Sequence, residues 1–182
     1  MADAPLMTTV IGSFPKPEYL PIEDWFDAAR NLGGMGTPVV TERFTAYEQN
    51  RSSCDEALFV RAAKEIIDLQ VNAGIAIPTD GEVRRENYIH YHCRHLDGFD
   101  FECLEHRILR DGAYQTSLPA IRRTVKHEGR GYAAHDYTAS QNVSSAPVKF
   151  TLPGPLTIMD TTADCFYNDR PRLNRELADT VN

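Results

Sequence analysis

No apolar run in this sequence approaches the roughly 20 residues that span a bilayer, which excludes a membrane-spanning helix. The first ten residues, MADAPLMTTV, contain neither a basic segment nor a sustained apolar segment, so no secretory signal is visible and the cytoplasm is the expected compartment. Positive charge is also scarce, with 19 Lys and Arg against 26 Asp and Glu and a formal net charge of −7. This balance argues against nucleic acid as a partner, because a phosphate-binding face needs clustered basic residues.

Paired cysteine spacings and internal repeats are missing as well. The four cysteines, Cys54, Cys93, Cys103 and Cys165, form no CxxC pair, so we expect reduced, mostly structural thiols rather than a disulfide framework or a zinc finger. Without repeats, low-complexity tracts or linker-like stretches, residues 1–182 are predicted to form a single domain. The chain is nevertheless shorter than the roughly 250 residues of a complete (β/α)8 barrel, which leaves a small α/β domain or a fragment.

Short β-branched or apolar runs alternate with helical patterns along the chain. Residues 8–11, 74–78 and 148–152 each predict a strand that stops at glycine, proline or polar residues. Residues 55–72 predict the best helix, with Leu58, Ala62, Ile66 and Leu69 at helical spacing and Gly74 as C-cap. Residues 170–181 predict another helix, with Leu173, Leu177 and Val181 on one stripe.

The remaining segments give weaker signals. A helix is predicted around residues 22–32, carrying Trp25, Phe26, Ala29 and Leu32, and a glycine loop follows at residues 33–36. The polar stretch from the second strand to about Ser145 predicts no regular element.

Strand and helix alternation favours βαβ crossovers and a parallel sheet, so the predicted fold class is α/β. In such folds the chemistry lies at the carboxyl ends of the strands. The polar motifs at residues 12–15, 79–82 and 153–155 all follow predicted strands, which makes them the candidate functional segments.

The first motif is Ile11-Gly12-Ser13-Phe14-Pro15. Its glycine allows close backbone approach and its serine both donates and accepts hydrogen bonds, which suits a small carboxylate ligand. The alternative is an ordinary turn from a strand into a loop.

The second motif, Asp80-Gly81-Glu82, places two carboxylates around a glycine, where they could bind a substrate ammonium or act in acid/base chemistry. An equally weighted alternative is a helix N-cap worth about 1 kcal/mol. Arg84 and Arg85 are expected to pair with acids at the surface.

The third motif holds three histidines and a cysteine, at His90, His92, Cys93 and His95. His90 and His92 lie on the same side only if the segment is a strand, and His92 and His95 lie on the same face only if it is a helix. Since neither geometry collects all four, we expect a surface or pocket-rim segment and assign no metal ligands.

Taken in order, TTVIGSFPKP, TDGEVRRENY and VKFTLPGPLTI resemble the catalytic barrel of cobalamin-independent methionine synthase, from about Thr8 to the end of the chain. The resemblance implies a partial (β/α)8 TIM barrel of the kind shared with uroporphyrinogen decarboxylase, here about its first three β/α units. It also implies that Ile11, Gly12 and Ser13 bind the amino-acid part of homocysteine. Gly81 and Glu82 match the Gly-Glu that follows strand two, with Glu82 near the substrate amino group, and Asp80 is grouped with them.

The implied activity is a methyltransferase reaction of methionine biosynthesis, from a methylated folate to the thiol of homocysteine. Zinc would hold the sulfur as thiolate, explaining how a thiol of pKa about 8.5 becomes a nucleophile. The family's zinc ligands are a His-x-Cys pair, a glutamate and a later cysteine, all from the second half of the barrel, and we expect none in this chain.

Two departures from the family pattern keep other readings open. After its Gly-Pro-x-Thr turn the family has a tryptophan associated with folate, whereas this sequence continues with residues 158–161 and has its single tryptophan at Trp25. The family's folate-binding arginine-cysteine pair has no match at residues 100–123. The alternatives are another thiol alkyl transfer, a uroporphyrinogen-decarboxylase-like reaction, or a truncated, inactive half-barrel that aggregates or self-associates through its open edge.

Overall fold

The computed structural model describes residues 6–24, 26, 38–109, 114–127, 129 and 131–181. The helix predicted around residues 22–32 and the glycine loop predicted at 33–36 lie largely outside this set. Within it, no helix is long and apolar enough to cross a membrane.

The described elements comprise helices and one three-stranded sheet. The helices are α1 (Pro38–Gln49), α2 (Asp55–Asn72), α3 (His90–Cys93), α4 (Tyr132–Gln141), α5 (Pro155–Asp160) and α6 (Arg170–Val181), and the strands are β1 (Leu96–Leu109), β2 (Tyr114–His127) and β3 (Ala163–Asp164). The sheet order is β1-β2-β3, antiparallel for the first pair and parallel for the second. The α/β class predicted from the sequence is confirmed.

The chain divides into two compact units. Unit 1 comprises Met1–Pro21, Ser52–Arg84 and Gly131–Thr151, and unit 2 comprises Ile22–Arg51, Arg85–Arg130 and Leu152–Asn182. The single domain predicted over residues 1–182 stays a prediction.

In unit 1 the three predicted strands lie side by side and parallel. Thr9 pairs with Ile77, and Thr79 pairs with Lys149, each as a parallel bridge. Backbone bonds run from Ile77 N to Thr8 O (3.0 Å) and from Lys149 N to Pro78 O (2.8 Å). The predicted placement and direction of the strands are therefore right, although each contact is a bridge rather than a long ladder.

Helix α2 has the predicted bounds but a slightly different buried face. Asp55 Oδ2 accepts the Ser52 N–H (3.1 Å) at its start, and the buried stripe runs through Phe59, Ala62, Ala63, Ile66, Ile67 and Gln70. Leu69, expected on that stripe, is 60% exposed. A polar residue, Gln70, takes the inward position at the end of the helix.

Unit 2 is built on a β-hairpin that the sequence pattern did not predict. Strands β1 and β2 pair antiparallel, with register shifts between Asp97 and Phe99 and between Asp100 and Glu105. One face packs into a core formed by Ile89, Cys93, Leu96, Ile121, Val125, Ile158, Met159, Tyr167, Leu173 and Leu177. Leu173 and Leu177 of α6 are buried there and Val181 packs against the cluster, which confirms the stripe predicted for residues 170–181.

Candidate functional site

The ends of the three parallel segments in unit 1 meet at one carboxylate. Ser13 Oγ donates a hydrogen bond to Glu82 Oε2, and Thr151 Oγ1 donates to Glu82 Oε1 at 2.6 Å. Ser13 and Glu82 follow the first two segments, and Thr151 lies near the end of the third, so all three lie at the carboxyl ends, where parallel α/β folds place their chemistry. We call Ser13, Glu82 and Thr151 the carboxylate cluster.

Gly12 allows the first segment to approach this close. A Cβ atom at position 12 would lie 2.5 Å from Glu82 Oε1 and 3.4 Å from the Thr151 methyl group. Any larger residue would displace the Glu82 side chain, so the glycine is required by the cluster itself. The Gly12 carbonyl also accepts a hydrogen bond from Thr79 Oγ1 (2.9 Å).

Asp80 and Gly81 shape the turn that carries Glu82. The Asp80 carboxylate is buried and accepts the Glu82 N–H at 3.0 Å, while the Gly81 carbonyl accepts the Phe14 N–H at 3.0 Å. Glu82 has φ +57°, a left-handed conformation that costs a non-glycine residue roughly 1 kcal/mol or more. The next helix, α3, begins at His90, so neither Asp80 nor Glu82 is an N-cap and that alternative is wrong.

The structure brings Gly12, Ser13, Gly81 and Glu82 together. Asp80 joins them through its bond to the Glu82 backbone. Ile11 is 94% exposed, so its side chain points away from the cluster and only its backbone lies next to it. The role of these residues in substrate binding stays a prediction.

Thr151 and Lys149 were missed by the sequence analysis. Lys149 Nζ donates to the Val10 carbonyl, which fixes the end of the first segment just before the Gly12-Ser13 turn. The signal was present, because Lys149 and Thr151 are alternate positions of the predicted third strand and therefore share one face.

The two arginines after Glu82 are buried, so the expected surface pairing is wrong. Arg84 is 5% exposed and makes bonds of 2.7 Å to both Glu56 carboxylate oxygens, and Arg85 is 2% exposed. The side-chain nitrogen Nε of Arg84 lies 3.7 Å from Asp136 Oδ1. These contacts anchor the segment after the cluster to α2 and α4.

The histidine segment is also buried, contrary to the predicted surface or pocket-rim position. It forms helix α3, in which His90, His92 and Cys93 are buried. His90 Nε2 lies 3.2 Å from the Thr161 carbonyl, and burial lowers the pKa of His90 to about 4. Burial raises the pKa of the Cys93 thiol and the nearby Glu86 charge raises it further.

These surroundings do not fit a zinc site, in which a cysteine ligand binds as the thiolate and histidine ligands need accessible lone pairs. Among the residues that the structure describes, no group of three or more His, Cys, Asp or Glu is arranged to hold a metal ion. The segment is part of the core of unit 2, where Cys93 packs as a small apolar side chain.

Burial of His90 predicts a pH-dependent stability. Its folded pKa of about 4 lies below the ordinary histidine pKa of 6.5, so the unfolded chain binds the proton more tightly and stability falls as pH drops from about 6.5 toward 4. The full loss attributable to His90 is about 3 kcal/mol. Urea unfolding from pH 4 to 7 should show this slope in the wild type and a flatter one in His90→Gln.

The exposed His106 provides the control. His106→Gln should keep the wild-type slope. Equal slopes in wild type and His90→Gln would mean that His90 titrates normally in the folded chain.

Three comparisons with known proteins agree. The family model "Cobalamin-independent synthase, Catalytic domain" matches residues 36–180. Methionine synthases from Sulfolobus acidocaldarius and Saccharolobus solfataricus are 27% and 26% identical, over 97% and 100% of this chain but 46% and 49% of their own lengths. A solved structure of a B12-independent methionine synthase from Shewanella sp. W3-18-1 in complex with selenomethionine is 29% identical, with a TM-score of 0.69 over 95% of this chain and 45% of that one.

The chain thus spans about half the length of the curated relatives it matches. Because the family model covers well over half of the chain, the chain belongs to the cobalamin-independent synthase family, in its catalytic domain.

Proposed function

We propose that this chain is part of an enzyme that moves a methyl group from a methylated folate to the thiol of homocysteine, giving methionine. In this proposal its carboxylate cluster binds the amino-acid end of the substrate. The observation that carries it is the Glu82 carboxylate, held by the Ser13 and Thr151 hydroxyls at the ends of three parallel segments. The solved relative in complex with selenomethionine supports an amino acid of this shape.

The chemistry of the cluster suits an amino acid. A carboxylate offers about four lone-pair sites, so it can accept hydrogen bonds from hydroxyls and from an ammonium. Bonds in which both partners are charged are roughly twice as strong as neutral ones. Glu82 would therefore take the substrate ammonium.

The opposite end of the amino acid needs donors and positive charge. The Lys149 ammonium carries three donors, of which one serves the Val10 carbonyl. Together with the backbone of residues 11–13 it would take the substrate carboxylate. Opposite charges at Glu82 and Lys149 then match the zwitterion.

We further propose that the parallel segments at residues 8–11, 74–78 and 148–152 are the first strands of a (β/α)8 barrel. Their parallel order and the position of the cluster support this. Since the chain spans about half of its relatives, the remaining strands of such a barrel would lie outside it.

Zinc belongs to the proposed whole enzyme rather than to residues described here. When bound, it would hold the homocysteine sulfur as a thiolate. His90 and Cys93 do not fit such a site, so we propose that the ligands lie outside this chain. The part of this chain is to bind and orient the amino acid.

An alkyl donor other than folate remains a candidate, because Ile158 and Met159 stand where the family has its folate-associated tryptophan. Ile158 is fully buried and Met159 is 7% exposed in the core of unit 2, so neither presents a flat surface for a folate ring. Transfer of another alkyl group to the same thiol is therefore the alternative. The amino-acid site is common to both readings.

The proposal is tested by calorimetric titration of the purified chain with L-homocysteine and with L-methionine, and zinc content is measured in the same sample. We expect both amino acids to bind, and 4-mercaptobutyrate, which lacks the ammonium, to bind much more weakly. Equal binding of the amino acids and 4-mercaptobutyrate would contradict the role of Glu82. No binding of either amino acid would remove the site from this chain.

A further inference from the structure

One buried glutamine in unit 1 is not explained by packing alone. Gln70 is 2% exposed and lies in the last turn of α2, on the face otherwise filled by apolar side chains. Burying an amide is costly unless its hydrogen bonds are made. Its contacts therefore identify what it does.

The Gln70 side-chain amide bonds both the N–H and the carbonyl group of one residue, Thr79. Its Nε2 donates to the Thr79 carbonyl (2.8 Å), and its Oε1 accepts the Thr79 N–H (2.9 Å). The same Nε2 also lies 3.1 Å from the Ile66 carbonyl of its own helix. The amide thus pairs with Thr79 much as a neighbouring strand would.

Thr79 in turn bonds the two turns of the candidate site, at Gly12 and at Gly81. Its side chain is fully buried, and its hydroxyl donates to the Gly12 carbonyl (2.9 Å) and accepts the Gly81 N–H (3.3 Å). Gly12 precedes Ser13 and Gly81 precedes Glu82. One hydroxyl therefore sets the spacing between the two turns whose side chains meet in the cluster.

The same pattern of hydrogen bonds occurs at α4, the next helix of unit 1. Gln141, the last residue of α4, donates from Nε2 to the Ala146 carbonyl (3.1 Å) and accepts the Val148 N–H at Oε1 (3.0 Å). That contact fixes the segment leading to Thr151. Helices α2 and α4 thus each carry a glutamine in the last turn that fixes the segment which follows the helix.

We propose that Gln70 is a positioning residue for the amino-acid site, acting through Thr79 on Ser13 and Glu82. The inference rests on the proposed function, because it concerns the affinity of that same site. Its side chain does not reach the substrate. Gln70 instead fixes the position of the Glu82 carboxylate relative to the Gly12-Ser13 backbone.

The test compares the affinity for L-homocysteine in three variants. Gln70→Met removes both bonds to Thr79 at similar volume, and we expect the Kd to rise about tenfold, as for the loss of one well-formed hydrogen bond. Thr79→Val, which keeps the shape and loses the hydroxyl, should weaken binding similarly. Thr79→Ser, which keeps the hydroxyl, should restore affinity close to that of the wild type.

Ala63→Gly is the control for stability, because Ala63 is buried in the same helix and its methyl group makes no hydrogen bond. It should lower Tm and leave the Kd unchanged. A Gln70→Met variant that lowers Tm while binding like the wild type would overturn the proposal and leave Gln70 with a role in stability only.

Amide NMR separates this inference from the proposed function. In Gln70→Met the Gly81 and Ser13 amide resonances should shift, whereas Ala63→Gly should leave them in place. If wild-type chain does not bind homocysteine, the proposed function fails, and these resonances still decide whether Gln70 positions the two turns. Unshifted Gly81 and Ser13 resonances would overturn the inference.

Discussion

Glu82→Gln is expected to raise the Kd of the chain for L-homocysteine roughly 10- to 100-fold, the range that loss of one charge-assisted hydrogen bond produces. The amide keeps the size of the carboxylate, so Gly12 still fits against it. Its NH2 group, however, replaces one of the two oxygens that accept from the Ser13 and Thr151 hydroxyls, and the neutral amide carries no charge to attract the substrate ammonium. Calorimetric titration of wild type and variant measures the change.

A matched substitution, Glu42→Gln at an exposed position of α1, controls for the loss of one negative charge. It should leave the Kd unchanged. The weak affinity for 4-mercaptobutyrate should be the same in wild type and Glu82→Gln, because that ligand has no ammonium to lose. A Glu82→Gln variant that binds homocysteine as tightly as the wild type would contradict the proposed site.

Gly98→Ala is expected to lower the free energy of unfolding by about 3 kcal/mol, because it adds both backbone strain and a steric clash of the new Cβ atom with the neighbouring strand. Gly98 lies at the register shift in β1 with φ +98°. A Cβ atom there would lie 2.8 Å from the Thr124 carbonyl oxygen and 2.9 Å from that of Arg123. Both belong to the backbone of β2, so relief requires the hairpin to move. Urea unfolding followed by far-UV circular dichroism measures the loss.

Gly129→Ala is the matched control that measures the cost of backbone strain alone. Gly129 has φ +68°, yet a Cβ atom there would meet nothing within 4 Å. Gly129→Ala should therefore cost only about 1 kcal/mol, the strain of a left-handed alanine. Equal losses in the two variants would show that the contact with β2 carbonyls adds nothing.

Local sequence signals were enough to predict the parallel segments, the bounds of α2 and the two turns of the candidate site. Those signals are short-range, since an apolar run ending at Gly-Ser or Asp-Gly-Glu marks a strand end without knowledge of its neighbours. The convergence of Ser13 and Glu82 followed from one further rule, that parallel strands present their carboxyl ends together.

The hairpin was missed because its sequence does not alternate. Residues 118–121 of β2 are all buried, and the register shift between Asp100 and Glu105 breaks the period of the partner strand. Arg122 bonds Asp100 and Glu105 of the partner strand, so charged residues that suggest a loop are part of the sheet. A two-residue period cannot detect such a strand.

Burial of the histidine segment and of Gln70 could not be predicted for a different reason. The Nε2 atom of His90 bonds the carbonyl of Thr161, 71 residues later, and the Gln70 amide bonds the backbone of Thr79. Polar residues are predicted outside unless their partner is known, and the partner is set by tertiary structure.

The carboxylate cluster also constrains when this chain can acquire its site during synthesis. Ser13 and Thr151 each lie 69 positions from Glu82, and unit 1 is assembled from three separate stretches of chain. Closing such long loops is slow and must precede any contact that rewards it. A nascent chain whose Thr151 has not yet left the ribosome therefore holds an incomplete cluster, and the proposed affinity for an amino acid would arise only once all three stretches of unit 1 have been synthesised.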